Sequence, residues 1–499
     1  MRAIFSICIN LLILFAISAQ ETPKINSFSP ADYDALNQNW SICEGCDENI
    51  YIANTKGVLI FNGLKWNLAT LPENRRPRSV FRGKDCRIYV CGFESFGYIN
   101  TDNPENPYYH PVADSLLKNR NQEYWRIFGD STKIIFQSFS ELFTYDYQEL
   151  RQISTPTNIM LGNSVGQQLI IPKIQSGVYH IEKNKILEFQ RSLSLPEGSK
   201  VVGVSSDSIY ATQHMGLFRL SDIGFEPIKS TLSNQLKSDQ INSIIRTRRG
   251  EYVIGTILNG LYVSEDLQEI KYHINKANGL SNNTVLSLFE DHQGQIWCGL
   301  DKGLDVLNLN DELLYYYDKQ GQLGTVFTSI VFRGDQYIGT NQGVFRRKND
   351  GSFHFIEGSQ DQVWSFIVVD GDLICGHNRG TFIIENDQFL PLSDITGGWC
   401  MRSISKNKFL QSSYTGLILF EKDLGQWSNG TRIENGDHLI ENFDLFDSIL
   451  VGFHPHFGLS KLILSKDYKK VLNYKKITSL SAIDPIINST AKGILISSP

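Results

Sequence analysis

Residues 282–308 read NNTVLSLFEDHQGQIWCGLDKGLDVLN. The stretch opens on an alternating apolar run, turns through a polar segment at Gly294, and resumes as Ile296-Trp297-Cys298-Gly299. A short turn ends at Gly303, and a third apolar run follows with Leu304, Val306 and Leu307. Short runs rich in Val, Ile, Phe and Tyr, bounded by Gly, Asp and Asn, read as β-strands. The same order returns in residues 40–63 (WSICEGCDENIYIANTKGVLIFNG), 363–384 (VWSFIVVDGDLICGHNRGTFII) and 398–420 (GWCMRSISKNKFLQSSYTGLILF).

The Gly after the second strand marks the period. It recurs at Gly57, Gly97, Gly177, Gly216, Gly260, Gly303, Gly343, Gly380, Gly416 and Gly458. A degenerate copy places Glu141 near the Gly position, and a weak last copy surrounds Gly493. A tight strand-to-strand turn explains the Gly, because it calls for a positive φ. An all-strand repeat of about 40 residues with four short strands is the signature of a β-propeller. About twelve four-stranded blades exceed one ring of four to eight. The chain therefore reads as all-β, with tandem β-propellers. One seven-bladed ring is expected over 21–320 and a second, incomplete and truncated ring over 321–499, with two six-bladed rings as the alternative. Helical periodicity is confined to 30–36 and 114–118.

The 499 residues carry 47 basic and 53 acidic side chains, a net charge of −6. That balance argues against a direct nucleic-acid binder, which usually presents a basic face. Residues 1–20, MRAIFSICINLLILFAISAQ, pair Arg2 with an apolar stretch and the small residues Ser18 and Ala19. This is the pattern of a cleaved signal peptide, and it predicts a periplasmic or secreted product. Seven cysteines follow it. Cys43, Cys46, Cys86 and Cys91 could ligate zinc as a four-thiolate set, and a disulfide among them is open in an oxidising compartment, but the better reading of the cysteines is as small hydrophobes.

The run Glu290-Asp291-His292-Gln293-Gly294-Gln295-Ile296-Trp297-Cys298-Gly299-Leu300-Asp301-Lys302-Gly303-Leu304 resembles the two-component regulator propeller repeat, with Leu300 in place of the usual Thr. The segments 39–63, 362–384 and 398–420 look like a Bacteroidota subgroup of that family. Its members place a periplasmic propeller pair before a triple-tyrosine β-sandwich, a membrane helix and a cytoplasmic LuxR-type helix-turn-helix. The resemblance implies the sensor half of a transmembrane transcription regulator. This sequence reaches Pro499 without those output elements. A truncated sensor half, or one acting through a membrane-anchored output protein or as a homodimer, is the expectation.

In a four-stranded blade the second turn and the connection to the next blade open on one face, at the mouth of the central channel. Four tryptophans enter the innermost strands there: Trp40, Trp125, Trp364 and Trp399. The turns add Asn54, Glu94, Phe96, His214, Asp301, Asn341, His377, Asn378, Arg379, Tyr414, His454 and His456. A concave mouth with aromatics and a few polar groups suits a small-molecule or glycan ligand. Packing between blades and capping of turns are the competing roles for these residues. His454-Pro455-His456 also spaces two imidazoles along one side of a strand, without a third ligand in view. Gly-x-Ser-x-Gly and His-Glu-x-x-His motifs are missing.

The leading expectation is a non-enzymatic, extracytoplasmic ligand sensor with no cofactor. The alternatives are a propeller glycosidase or lyase using Glu94 and Asp301 as its carboxylate pair, and a protein-interaction scaffold.

Overall fold

The computed structural model describes residues 21–497 apart from 104, 157–158, 166–167, 174–177, 183–184, 189–194, 222–223, 319–320, 349–350 and 479–484. The expected signal peptide and Gly177 lie outside the described residues. The chain divides into two compact units, with the division in sequence between Lys319 and Gln320.

Antiparallel four-stranded sheets make up nearly everything, so the all-β propeller reading is borne out. In the first blade, strand Asn39–Glu44 pairs Ile50–Asn54, which pairs Gly57–Phe61, which pairs Trp66–Ala69. Side chains along a strand alternate between faces, and both faces of these strands are covered. Tyr51 and Ala53 pack with Val80, Ile88 and Val90 of the second blade. Ile50 and Ile52 pack with Trp297, Leu304 and Val306 of the seventh. Hence Ile50–Asn54 is buried throughout, and its first four residues read as a continuous apolar run.

Further blades of the first unit span 77–111, 126–153, 163–188, 201–227 and 241–274. The seventh sheet takes a strand from elsewhere. Val285–Glu290, Ile296–Leu300 and Leu304–Asn308 are followed by the N-terminal strand Thr22–Phe28, and then by Leu314–Tyr315. Lys24 pairs with Asn308 and Phe28 with Leu304. The Ile25 amide also donates to the Tyr317 hydroxyl at 2.9 Å. Innermost strand Val285–Glu290 lies beside Asn39–Glu44, and Asn39 Nδ2 donates to the Gly303 carbonyl at 2.8 Å. Blade seven thus meets blade one.

The repeat motif has a local cause. Asp291 Oδ1 accepts the amides of Gln293 and Gln295 at 3.0 and 2.9 Å, and Oδ2 accepts Trp297 Nε1 at 2.9 Å. One carboxylate closes the first turn and anchors the buried aromatic of the next strand. Asp47 with Tyr51, and Asp85 with Tyr89, repeat the device through a phenol, at 2.7 and 2.9 Å.

The periodic Gly has a second reason besides backbone angle. Gly216, Gly260, Gly303, Gly343, Gly380, Gly416 and Gly458 do have positive φ, but Gly57 and Gly97 do not. At Gly57 a Cβ would lie 2.6 Å from the Ala69 carbonyl, and at Gly97 2.2 Å from that of His110. The close approach of the fourth strand excludes a side chain there.

The second unit holds sheets at 326–355, 363–393, 400–432 and 442–476, then the hairpin Ile486–Thr490 with Gly493–Ser497. Of the two helical expectations, Asp114–Leu117 is a helix, whereas residues 30–36 form turns; a helix unforeseen in the sequence runs over Thr231–Asp239. Ser230 caps that helix by accepting the Ser233 amide, and Leu232 and Leu236 seat it in the core. Among the described residues no helix is long and apolar enough to cross a membrane.

Cys46 and Cys86 form a disulfide between the first turns of blades one and two. Cys43 and Cys91 are buried free thiols, so the four do not form a zinc set.

Candidate functional site

Each unit presents an aromatic cluster where its innermost strands begin. In the first unit, Trp40 and Trp125 meet edge to face with centroids 5.7 Å apart. The Arg78 guanidinium lies against both rings, 4.7 Å from Trp40 and 4.1 Å from Trp125. Arg78 Nε donates to Glu123 Oε1 at 2.5 Å, which fixes the fork in place. Trp40 Nε1 donates to Thr55 Oγ1 at 3.1 Å. Both indoles are partly exposed, and the exposed Phe139 ring sits 6.3 Å from Trp125. Flat apolar faces and a fixed cation at one mouth suit a ring bearing hydroxyl or carboxylate groups.

Other turn residues of this unit divide. His214 is exposed in its turn. Asp301 is half-buried and accepts from Gln38 Nε2 at 2.7 Å. Glu94 is buried at φ 46°, and its Oε1 accepts the Asn121 amide at 2.8 Å. Asn54 is fully buried and ties Leu36 to Asn39. Phe96 requires correction. It is 0% exposed and stacks on Phe136 at 4.0 Å, in the core between blades two and three. Alternation along its strand turns the ring inward, away from any ligand.

In the second unit a chain of contacts crosses three sheets. Asp361, at φ 102°, accepts from Asn378 Nδ2 at 2.9 Å. Asn378 Oδ1 accepts the Tyr414 hydroxyl at 2.7 Å. The Tyr414 ring lies 4.9 Å from Trp399, and Trp399 lies 5.9 Å from His454. His456 and the exposed Phe457 flank His454 at 5.7 and 4.9 Å. His454 ends its strand and His456 falls in the following turn, where its amide donates to His454 Nδ1 at 3.2 Å. Trp364 packs on Phe327 at 5.0 Å. Arg379 is exposed and donates to the Gly358 carbonyl at 2.5 Å. Asn341 caps the preceding loop by accepting the Thr325 amide at 2.7 Å.

His377 is the other correction. It is 0% exposed, with Nε2 3.2 Å from the Ser359 carbonyl and Nδ1 accepting the Arg379 amide at 3.0 Å. Burial pushes its pKa down, so it stays neutral and structural.

Reading the sequence alone passes over Arg78, Glu123, Phe139, Asp361 and Phe457. Arg78 was the most accessible of these. It precedes Ser79 just as Trp40 precedes Ser41, so the repeat itself places it in the tryptophan position.

Fold and clusters together define a tandem β-propeller with an aromatic mouth in each unit. Residues 279–302 match the family model described as "Two component regulator propeller", which bears out the resemblance read from that run. No curated protein matches the chain. Among solved structures, the extracellular domain of BT3049 from B. thetaiotaomicron, assigned to a hybrid two component system, is similar at 13% identity and a TM-score of 0.65. The match covers 95% of this chain and 70% of that one. The extracellular domain of BT4673 from the same organism aligns at 13% identity and TM-score 0.47, over 96% of this chain and 71% of that one. Virginiamycin B lyase from Staphylococcus aureus aligns at 15% identity and TM-score 0.46, and a catalytically inactive form of it at 14% and 0.45, each over 57% of this chain and 99% of that one. At such identities the likeness is one of fold.

Proposed function

We propose that this chain is an extracytoplasmic ligand-sensing module of a transmembrane transcription regulator, and that it captures a small molecule or glycan without turning it over. The observation that carries this reading is the Trp40–Arg78–Trp125 cluster, a partly exposed aromatic platform with a fixed cation. The propeller repeat at 279–302 supports the assignment to regulators. A periplasmic or extracellular location goes with it, as does the pairing of the module with a membrane-anchored output protein or a second copy. Signalling would follow only as far as ligand affinity differs between two arrangements of the module. The carboxylate pair required by the hydrolase and lyase readings gains little support, because Glu94 is occupied by the Asn121 amide.

Tryptophan fluorescence, titrated with a panel of neutral and acidic oligosaccharides, tests the proposal. A saturable change that W40A abolishes is expected, with the oligosaccharide recovered intact. A panel without any saturable response overturns ligand capture at this mouth, and cleaved product overturns the non-enzymatic reading.

A further inference from the structure

Inside the first unit the innermost strands enclose a channel cavity of about 840 Å³. Its charged lining is three arginines, Arg82, Arg126 and Arg248, with Glu44, Glu290 and His292. Both glutamates are engaged. Glu44 holds the His292 ring and backbone amide, and Glu290 Oε2 accepts the Arg248 amide at 2.9 Å.

Arg126 has no such partner. Its Nη2 donates to Asn163 Oδ1 at 3.0 Å, and among the described residues no carboxylate pairs with it. The repeat shows how unusual the residue is. Ser41, Ser79, Ser243 and Ser287 each stand four positions before the first turn of their blades, at Gly45, Gly83, Thr247 and Asp291. Blade three places Arg126 four positions before the corresponding turn at Asp130. A long cation thus replaces a hydroxyl in one blade, and the fold supplies no neutralising charge. Removing a charge from bulk water without a partner is costly. A guanidinium offers a fork of N–H groups that matches an oxyanion at two points, and one Asn oxygen leaves most of those donors to the cavity. Burial lowers the Arg126 pKa, in keeping with a cation short of countercharge.

We propose that the channel of the first unit is an anion site, in which Arg126, oriented by Asn163, binds a carboxylate or a small inorganic oxyanion. Arg126 directly follows Trp125, so the site adjoins the ligand mouth, but it does not rest on the sensing role.

Isothermal titration of the whole chain with sulfate, glucuronate and glucose at constant ionic strength tests it. Wild type is expected to bind at least one of the two anions saturably and to ignore glucose. Binding of both anions identifies a general oxyanion site. Binding of glucuronate alone identifies a sugar-acid site. R126Q should weaken binding about ten- to a hundredfold, the value of a charge-assisted pair. N163D should do the same by a different route, since it places a carboxylate on the guanidinium. Unchanged affinity in a folded R126Q or N163D, or no saturable anion binding by wild type, overturns the proposal. Wild-type crystals soaked in selenate give a reading independent of either variant. An anomalous peak at Arg126 supports the site, and peaks only elsewhere overturn it.

Discussion

Tyr414 donates its hydroxyl proton to Asn378 Oδ1 at 2.7 Å, and in doing so links the turns of two successive sheets in the second unit. Asn378 in turn leans on Asp361, a non-glycine residue at φ 102°. Y414F keeps the ring against Trp399 and removes only the proton donor. The expected loss is about 1 kcal/mol, seen as an earlier urea transition of the second unit. An unchanged midpoint would mean the turns are held by the ring contact alone.

Arg78 holds the first mouth together through two ring faces and one carboxylate. R78A should cost about 1–2 kcal/mol, because a partly desolvated cation–π contact is lost twice over and Glu123 is left unpaired. It should also shift the tryptophan emission, as the field beside both indoles changes. R78K should restore part of the stability but not the emission, since an ammonium cannot lie flat between two rings.

Cys46 and Cys86 close a loop with a separation of 40 residues. Reduction, or the C46S/C86S pair, should destabilise the first unit by about 2–4 kcal/mol. Scanning calorimetry with and without reductant reads the shift. The free thiols Cys43, Cys91, Cys298, Cys375 and Cys400 are all buried, so a thiol reagent should label none of them until the chain unfolds.

Alkali should unfold the first unit through its buried phenols. Burial pushes Tyr210 up to about 12. Burial and the hydrogen bond to Asp207 do the same for Tyr252, again to about 12. In an unfolded chain both ionise near pH 10. Their stabilising contribution is therefore complete below about pH 10 and is lost as pH rises from there towards 12. Phenolate absorbance should rise for these residues together with the loss of β-sheet circular dichroism. Ionisation well before unfolding would show that the two rings are accessible.

Phe96 separates packing from recognition. F96A removes a ring stacked at 4.0 Å in the core and should cost about 3–5 kcal/mol. Any folded fraction should bind ligand as wild type does. Selective loss of binding would return Phe96 to the mouth.

The repeat was legible because every blade solves one problem the same way. Asp291, Gly294, Trp297 and Gly303 carry the turns in a pattern that the other blades vary without abandoning. The tryptophans at strand entries were legible for the same reason. What escaped depended on distance or on burial. Residues 22–28 show nothing in their own sequence to mark their partner near residue 308. Phe96 and His377 lie close to turns that reach solvent at Phe93 and Arg379, and only the direction of the strand decides that their own side chains point inward. The helix at Thr231–Asp239 is short, its apolar face consists of Leu232 and Leu236, and its Ser230 cap lacks a Glu three residues on.

The strand Thr22–Phe28 is made before every other strand described here, yet its partners come from the far end of the same unit. The Ile25 amide meets a hydroxyl 292 positions further along the chain. Earlier blades can acquire their hairpins as they appear, since those contacts are local. The opening segment must wait, extended and unpaired, until Leu304–Asn308 exists. Contacts of such span are slow to form and expose unpaired edges meanwhile. The first unit is thus completed by its beginning. Any partner that holds the nascent chain must release Thr22–Phe28 last, because that one strand converts a row of blades into a ring.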